Sequence, residues 1–371
     1  MKRCQLYFLP FAVLLCVCAG CATGRKTEDH NVFVLEDSES GQKVSDKWEN
    51  IPERVKRDYD KLTIDADVVV PEAFAEGLGA IYNGEMVVFK EGDLKGLIFQ
   101  EKDIKEEDLL DMDHDVIGSY TDQYYAFEDG SSISFGGPYL QYATPLAIHM
   151  ANCIREDLED PFYNMTVFSQ EGDIAALSRQ EAADAVQALF GELDIAVSSI
   201  YECYALDKDT LREQERAVDV DGNVVEKWKK DEWLADDEGY LFKFHQEISG
   251  ARIEDMQRLG GETAMEITYG ANGFIKIYLA NVYRVKEQKD EERLLTPEEI
   301  TEVLEKEYSM LIDASPLEVQ TMSLCYCPVV AGIDQLEFRP VWKMDCVERN
   351  DVIGEWERQL FYDAATGKEI L

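Results

Sequence analysis

Hydrophobic and polar positions alternate over short stretches in the first half of the chain. Residues 62–71, LTIDADVVVP, alternate and then become continuously apolar before Pro71, which predicts a strand. Further short strands are predicted at 85–90, 95–100, 131–137 and 165–170. The acidic residues 101–111 predict a weak helix, and residues 139–158 fit either a strand or a helix. We therefore expect residues 60–174 to form an α+β region.

Two segments of the second half carry the same helix signals. Residues 177–193 and 295–311 each begin with a capping box, made by Ser178 with Glu181 and by Thr296 with Glu299. Apolar residues then recur at helical spacing on one face: Ala182, Val186, Leu189 and Phe190 in the first segment, and Ile300, Val303, Leu304, Tyr308 and Leu311 in the second. Both segments are predicted to be amphipathic helices.

Similar strand signals follow each helix in the same order. The paired segments are 199–206 and 323–330, then 239–250 and 336–348, and finally 265–277 and 358–371. The last pair enters turns that favour a residue tolerant of positive φ, supplied by Gly273 and Gly367. The repeated order predicts a duplication, with 175–290 and 291–371 each forming one helix laid over an antiparallel sheet.

The C-terminal pattern resembles the PepSY-type domains and the YycH/YycI-like proteins of Gram-positive bacteria. The resemblance rests on the Thr-Pro-Glu-Glu helix start, on Leu324–Pro328, on RPVWKM at 339–344 and on YDAATGKEI at 362–370. Residues 240–250, YLFKFHQEISG, resemble a strand of the same proteins. The whole chain is also similar to uncharacterised lipoproteins of gut clostridia. The resemblance implies duplicated PepSY-like units and a non-enzymatic protein that contacts a sensor kinase or restrains a protease.

The N-terminus predicts export. Lys2 and Arg3 precede an apolar run that ends in small residues, which is the pattern of a signal peptide over residues 1–20. Cys18-Ala19-Gly20-Cys21 resembles a bacterial lipobox, although Cys18 stands where Leu is commonest. That resemblance implies that Cys21 is lipidated and begins the mature chain. The alternative is an uncleaved anchor helix.

Residues 21–59 are polar and charged, and they predict a flexible tether that holds the body away from the membrane. The clostridial likeness implies the extracytoplasmic face of a Gram-positive cell membrane. In a Gram-negative host, Ala22 after the lipidated Cys21 would favour the outer membrane.

Charge and composition limit the kinds of molecule that the protein is expected to bind. The formal net charge is −40, from 36 basic and 76 acidic residues, so nucleic acid is not an expected partner. Hydrophobic residues make up 46% of the chain, which is enough for packed cores and excludes a disordered acidic tail. The expected partners are a membrane or cell-surface protein and, through Cys21, the membrane itself.

The cysteines do not form the pattern of a disulfide scaffold. After removal of the leader and lipidation of Cys21, an odd number remains: Cys153, Cys203, Cys325, Cys327 and Cys346. Unpaired thiols in an exported protein favour a reducing habitat and buried, structural roles. One pairing stays open, because Cys325 or Cys327 could meet Cys346 across a hairpin.

Two acidic segments contain candidate cation ligands. Asp111, Asp113, His114 and Asp115 lie in DLLDMDHD, but the spacing lacks the glycine and closing glutamate of an EF-hand loop, which favours a solvated acidic loop. Asp219, Asp221 and Asn223 lie in VDVDGNVVEKW, where Asp-Gly-Asn between alternating apolar residues is first a hairpin turn. No metal or cofactor is predicted.

No catalytic constellation is predicted either. His30, His114, His149 and His245 lack a paired metal-binding spacing, and DGSSISFGG at 129–137 lacks a nucleophile elbow. Cys153 lies four residues after His149 without an orienting third group. We therefore expect a non-catalytic binding or regulatory module. The alternative is an extracellular hydrolase or small-ligand receptor with its site in residues 60–174.

Overall fold

The computed structural model describes residues 48, 51–94, 102–114, 116–157, 162–218, 222–254, 263–311, 315–332, 335–350 and 354–370. Cys21, His30, Asp115, Asp219, Asp221 and the strand predicted at 95–100 lie outside the described residues. So do the predicted signal peptide and most of the predicted tether. No helix of the described ranges is long and apolar enough to cross a membrane.

The fold is mixed α+β and is dominated by strands. In chain order the strands are β1 (Arg54–Asp58), β2 (Leu62–Val69), β3 (Leu78–Met86), β4 (Ile104–His114), β5 (Gly118–Phe127), β6 (Ser132–Phe135), β7 (Tyr139–Ala143), β8 (Glu202–Leu206), β9 (Gly239–Lys243), β10 (Glu247–Ile248), β11 (Ala251–Arg252), β12 (Ala264–Gly270), β13 (Gly273–Ala280), β14 (Tyr283–Arg293), β15 (Leu317–Gly332), β16 (Gln335–Asn350) and β17 (Gly354–Asp363).

Five α-helices are described: α1 (Glu91–Leu94), α2 (Pro145–Ala151), α3 (Arg179–Glu192), α4 (Lys208–Gln214) and α5 (Pro297–Met310). Short 3-10 helices lie at Glu72–Phe74, Met165–Val167, Glu226–Trp228 and Ala235–Asp237.

The strands form two large sheets, each covered by one predicted helix. Strands β1, β2, β15, β16, β3 and β14 lie side by side, and β17 pairs with the second half of β16. The other sheet has the order β4-β5-β6-β7-β13-β12-β9-β8. Apolar side chains of α3 pack in the core of this eight-stranded sheet, and those of α5 pack in the core of the seven-stranded sheet. The predicted architecture of antiparallel sheets covered by helices is confirmed, with one exception: β2 and β15 are parallel.

The capping boxes are also confirmed. Ser178 Oγ accepts a hydrogen bond from the Glu181 amide, and Thr296 Oγ1 accepts one from the Glu299 amide at 3.2 Å. In each case the glutamate carboxylate accepts a hydrogen bond from the amide of the capping residue. These local bonds satisfy amides that an uncapped helix would leave unpaired, so both helices begin where the sequence predicts.

The two helix-on-sheet units share a further contact. In the first unit, the hydroxyl of Tyr240 on β9 lies 3.0 Å from the carbonyl oxygen of Leu177, the residue before the helix cap. In the second, Nε1 of Trp342 on β16 donates to the carbonyl oxygen of Leu295 at 2.9 Å, again the residue before the cap. An aromatic side chain of the second following strand therefore contacts the residue before the helix cap in both segments.

The motifs at 339–344 and 362–370 meet in space. Nε of Arg339 donates to Asp363 Oδ2 at 3.0 Å, and Asp363 Oδ1 accepts a hydrogen bond from the Thr366 amide at 2.8 Å. Gly367 completes this turn with a φ of +68°, which a side chain would strain. These residues close the end of β17 against β16, so their role is structural.

The predicted boundaries at 174/175 and 290/291 do not separate the sheets. Strands β2 and β3 join the seven-stranded sheet, whereas β4 to β7 join the eight-stranded sheet. The chain thus contributes β1 to β3 to the seven-stranded sheet, then forms the eight-stranded sheet, and finally adds β14 to β17 to the seven-stranded sheet. The predicted tether also ends early, because Trp48 is buried in the core of the seven-stranded sheet and β1 begins at Arg54.

Three local predictions were wrong. Of the strand predicted at 85–90, only residues 85 and 86 belong to a strand, the end of β3, and residues 87–90 have no regular secondary structure. Residues 104–111 form part of strand β4 instead of a weak helix, since pairing with β5 outweighs their low strand propensity. Residues 165–167, predicted as strand, form a 3-10 turn that buries Met165 with Phe168 in a small core. Residues 139–158, left open, contain both strand β7 and helix α2.

Candidate binding surface

Strands β4 and β5 form a long antiparallel arm at one edge of the eight-stranded sheet. At its base, Tyr125 and Phe127 are buried in the core under α3. At its tip, Val116 is 3% exposed and packs in the core of the seven-stranded sheet. Between these anchors nearly all side chains of β4 are exposed. The arm is therefore held at both ends and open to solvent along its length.

Asp111, Asp113 and His114, for which the sequence favours a solvated acidic loop over a cation site, lie on strand β4 of this arm. Asp111 accepts a hydrogen bond from Thr121 Oγ1 at 2.9 Å, and Asp113 accepts one from Ser119 Oγ at 2.6 Å. Nδ1 of His114 accepts a hydrogen bond from the Val116 amide at 3.1 Å. The carboxylates therefore support the hairpin across its two strands. Within the described residues, no group of three or more His, Cys, Asp or Glu side chains could hold a metal ion.

The face of the eight-stranded sheet opposite α3 carries several tyrosines. Because side chains alternate along a strand, the burial of Tyr125, Leu140 and Ile277 under α3 places their neighbours on the other side. These neighbours form the tyrosine face, which we define as Tyr120, Tyr124, Tyr139 and Tyr278. All four side chains are half-buried or exposed, and Tyr124 is the most open at 38%. The tyrosine face is a broad aromatic surface in contact with solvent.

Hydrogen bonds hold part of the tyrosine face in place. Ser134 Oγ donates to Asp122 Oδ1 at 3.1 Å, and Tyr139 lies in the same network. Burial raises the pKa of Tyr139 far above its ordinary value, and its hydrogen bond to the negatively charged Asp122 raises it further. The Tyr120 ring lies directly against Gly137, where a Cβ atom would come within 2.3 Å of the ring. These tyrosines are neutral, ordered side chains.

Charged side chains on the neighbouring strands are paired. Lys276 Nζ lies 3.0 Å from Glu266 Oε2 and 5.7 Å from the centre of the Tyr278 ring. Lys243 on β9 pairs with Glu156. Part of the same sheet side is covered further along by α2 and α4, through a small core that contains Leu206, Leu211 and Leu241. The open part is the tyrosine face and the adjoining arm.

Cys153 and His149, which lie four residues apart in the sequence, are not arranged as a nucleophile and a base. Cys153 is fully buried, and its thiol donates to the backbone carbonyl of His149 at 3.3 Å. Burial, with the nearby Glu215 carboxylate, raises the pKa of the thiol far above its ordinary value. His149 Nδ1 instead lies 3.7 Å from Glu215 Oε1, and Glu215 accepts a hydrogen bond from Trp233 Nε1 at 3.0 Å. This buried cluster packs beneath α2.

The remaining candidate residues named in the sequence analysis also have structural roles. His245 Nε2 lies 3.9 Å from Glu247, and burial, followed by the charge of Arg252, lowers the pKa of His245. Val218 and Val224 form a short β-bridge that flanks Asn223, in agreement with the predicted turn. Ser131 in the 129–137 segment bonds to Asp129 at the β5–β6 turn.

All five cysteines in the described part of the chain are buried, and no disulfide joins any two of them. Cys325 and Cys327 share one face of β15, as predicted, in a small cluster with Val341 and Phe361. Cys346 lies in the core on the other face and is opposite Val319, six residues from Cys325. Six residues of strand span about 20 Å, whereas disulfide-bonded residues have Cα atoms within about 7 Å. The register therefore rules out the pairing that the sequence left open.

The tyrosine face was not found from the sequence. The sequence signal is weak. SISF alternates serine with apolar residues, whereas GSYTDQYYAF and YLQYA carry tyrosine or another polar residue at both sets of alternate positions. Only the pairing of β5, β6, β7 and β13 brings the tyrosines onto one surface.

Comparisons with known proteins give a likeness in fold. No family model matches the chain, and no curated protein matches it. The crystal structure of an uncharacterized protein from Eubacterium rectale ATCC 33656 is 17% identical with a TM-score of 0.58, over 86% of this chain and 94% of that one. The Bacillus megaterium YpeB C-terminal domain is 10% identical over 76% of this chain and 96% of that one, with a TM-score of 0.26. The first likeness shows the fold alone.

Proposed function

We propose that this protein is a membrane-anchored extracytoplasmic lipoprotein, and that it acts as a non-catalytic binding or regulatory module that docks a protein partner at the cell surface. The observation that carries the proposal is the tyrosine face beside the open arm. In this proposal the duplicated units are PepSY-like scaffolds, the protein needs no cofactor, and nucleic acid is not a partner.

The chemistry of the tyrosine face suits protein recognition. Tyrosine offers a large apolar ring and a polar hydroxyl, and it loses little conformational entropy when it becomes ordered. Aromatic residues are enriched at protein interfaces for this reason. Tyr120 and Tyr139 are already held by Gly137 and Asp122, so a partner would meet an ordered surface. Preorganisation of this kind reduces the cost of binding.

The anchor in this proposal is lipid on Cys21, at the end of the lipobox-like sequence. A lipid anchor would confine the protein to the membrane surface and raise its effective concentration near membrane proteins. The negative charge of the chain, −40, would repel anionic headgroups and keep the body away from the bilayer. In this proposal the lipid holds the protein at the membrane, and the folded part of the chain binds the partner.

The test is photocrosslinking in the bacterium that makes the protein. A photoreactive phenylalanine replaces Tyr124 on the tyrosine face or, as the matched control, the exposed Glu302 on α5. We expect a covalent adduct to a membrane or cell-surface protein from position 124 and none from position 302. A Cys21→Ser variant is expected to leave the membrane fraction and to lose the adduct. The absence of any adduct from position 124 at native abundance would contradict the proposal.

A further inference from the structure

We propose that the β4 edge of the arm binds an extended, basic segment of the protein partner as an additional strand. This inference rests on the proposed function and specifies the chemistry of the partner. The argument uses three independent properties of β4: an open hydrogen-bonding edge, exposed aliphatic side chains and one sign of charge.

The first property is the open edge. Among the described residues, β4 pairs with β5 alone and ends the eight-stranded sheet. The amide of Leu109 donates to the side-chain carboxylate of its neighbour Asp108 at 2.9 Å. A backbone amide that bonds to an adjacent exposed side chain can exchange that bond for one to an incoming strand. Strand addition at such an edge supplies affinity through main-chain hydrogen bonds.

The second property is the exposure of large aliphatic side chains on the same strand. Ile104, Leu109 and Leu110 are 52%, 56% and 58% exposed. Leu109 and Leu110 are adjacent, so they lie on opposite faces of the strand. An incoming strand would therefore find an apolar neighbour on each face, and it would remove both from water.

The third property is charge. The exposed acidic residues of β4 are Glu106, Glu107, Asp108, Asp111 and Asp113, whereas its basic residue is Lys105. A second copy of this edge would place like charges opposite each other, which is unfavourable in a paired strand. A strand with alternating basic and aliphatic residues would instead pair its cations with these carboxylates. Charge therefore favours a basic partner over self-association.

Strand β14 provides an internal comparison. It is also a charged edge strand, since within the described ranges it pairs with β3 alone, but its four acidic residues are balanced by four basic ones. Its exposed residues, Lys286 to Glu291 and Arg293, contain no aliphatic side chain. Charged edges of this kind protect a sheet from unwanted pairing. Of these two described edges, only β4 combines an excess of acidic residues with exposed leucines, and the arm is fixed at both ends by Val116 and Phe127.

The experiment uses the full chain in detergent and a capped nine-residue peptide of alternating Lys and Val. The control peptide has the same charge but carries proline at the two central valine positions, which removes amides needed for strand pairing. We expect the Lys-Val peptide to bind at least tenfold more tightly than the proline peptide. We also expect it to slow amide hydrogen exchange in residues 104–114 and not in residues 283–293. If both peptides bound equally tightly, or if both edges were protected from hydrogen exchange, the interaction would be a nonspecific attraction between charges. Either result would overturn the inference.

Two matched pairs of substitutions test which carboxylates bind the peptide. Asp111→Asn with Asp113→Asn on β4 is expected to weaken peptide binding about fivefold, because two favourable cross-strand pairs are lost. Asp290→Asn with Glu291→Gln on β14 makes the same charge change and is expected to alter binding less than twofold. An equal effect of both pairs would contradict binding at β4. An adduct from position 124 without Lys-Val binding would overturn the strand-addition inference alone, whereas the absence of that adduct would contradict the proposed function.

Discussion

At the scale of single residues, burial determines the behaviour of three cysteine thiols. Cys153, Cys203 and Cys346 are buried, and burial raises the pKa of the Cys203 thiol to about 11 and that of Cys346 to about 12. Thiols of this kind are poor nucleophiles at neutral pH. Asp129 shows the opposite behaviour and provides a pH-dependent prediction.

The pKa of Asp129 is about 2, below the ordinary value of 3.8. Burial pulls the pKa upward, but hydrogen bonds from Lys102 and Ser131 to the carboxylate outweigh it. Because the folded-state pKa is depressed, the carboxylate stabilises the protein above pH 3.8 and loses this effect as the pH falls towards 2. We therefore expect Asp129→Asn to lower the free energy of unfolding at pH 7 and to have a vanishing effect near pH 2.

Urea unfolding of both proteins at each pH measures this difference. The exposed neighbour Glu128 supplies the control, and Glu128→Gln is expected to have little effect at either pH. A stability difference for Asp129→Asn that is as large near pH 2 as at pH 7 would mean that its carboxylate charge does not contribute.

At the scale of elements, close backbone approach decides how the strands beneath the tyrosine face are connected. The turn between β6 and β7 contains Gly136, which has a φ of +122°. A Cβ atom there would lie 2.2 Å from the carbonyl oxygen of Thr121 on β5. The sequence places glycines at many turns, but this one is required for both its conformation and its lack of a side chain.

Two alanine substitutions separate these requirements. Gly118→Ala at the tip of the arm adds strain at a φ of +74° but meets no atom within 4 Å. We expect it to cost about 1 kcal/mol of unfolding free energy. Gly136→Ala adds a backbone clash to comparable strain and is expected to cost at least about 2 kcal/mol. Urea unfolding at neutral pH measures the change in unfolding free energy for each variant. Equal changes would show that the backbone at Thr121 can move away from the added Cβ atom.

At the scale of the whole molecule, the path of the chain couples the two sheets. The seven-stranded sheet takes strands from residues 54–86 and from residues 283–363, and the eight-stranded sheet lies between them in sequence. The arm adds a direct connection, since it begins in the eight-stranded sheet and inserts Val116 into the core of the other. We therefore expect the described body to unfold as one cooperative unit.

Val116→Ala tests this coupling. Removal of two buried methyl groups is expected to lower the free energy of unfolding by about 1–3 kcal/mol. Far-UV circular dichroism and the fluorescence of Trp342, buried in the other sheet, should report one shared transition. Leu110→Ala on the same arm is the control, and because Leu110 is 58% exposed its effect should stay within about 0.5 kcal/mol. Separate transitions for the two probes would show that the sheets unfold independently.

The sequence by itself determined the features that depend on neighbouring residues. The capping boxes placed α3 and α5 within two residues of their observed ends, and alternation identified β2 and the β12–β13 hairpin. These signals act within a few residues along the chain, so they need no tertiary context. The lipidation of Cys21 is predicted from equally local sequence.

Only the tertiary structure decided which distant strands pair. Strand β2 lies beside β15, about 250 residues away in the sequence, and acidic β4 is a strand because β5 pairs with it. Side-chain patterns fix the face that a strand buries but not its neighbour, since backbone hydrogen bonds are nearly the same for every residue. Two features follow from these long-range pairings. The eight-stranded sheet lies between the two parts of the seven-stranded sheet in the sequence, and four tyrosines lie on one surface.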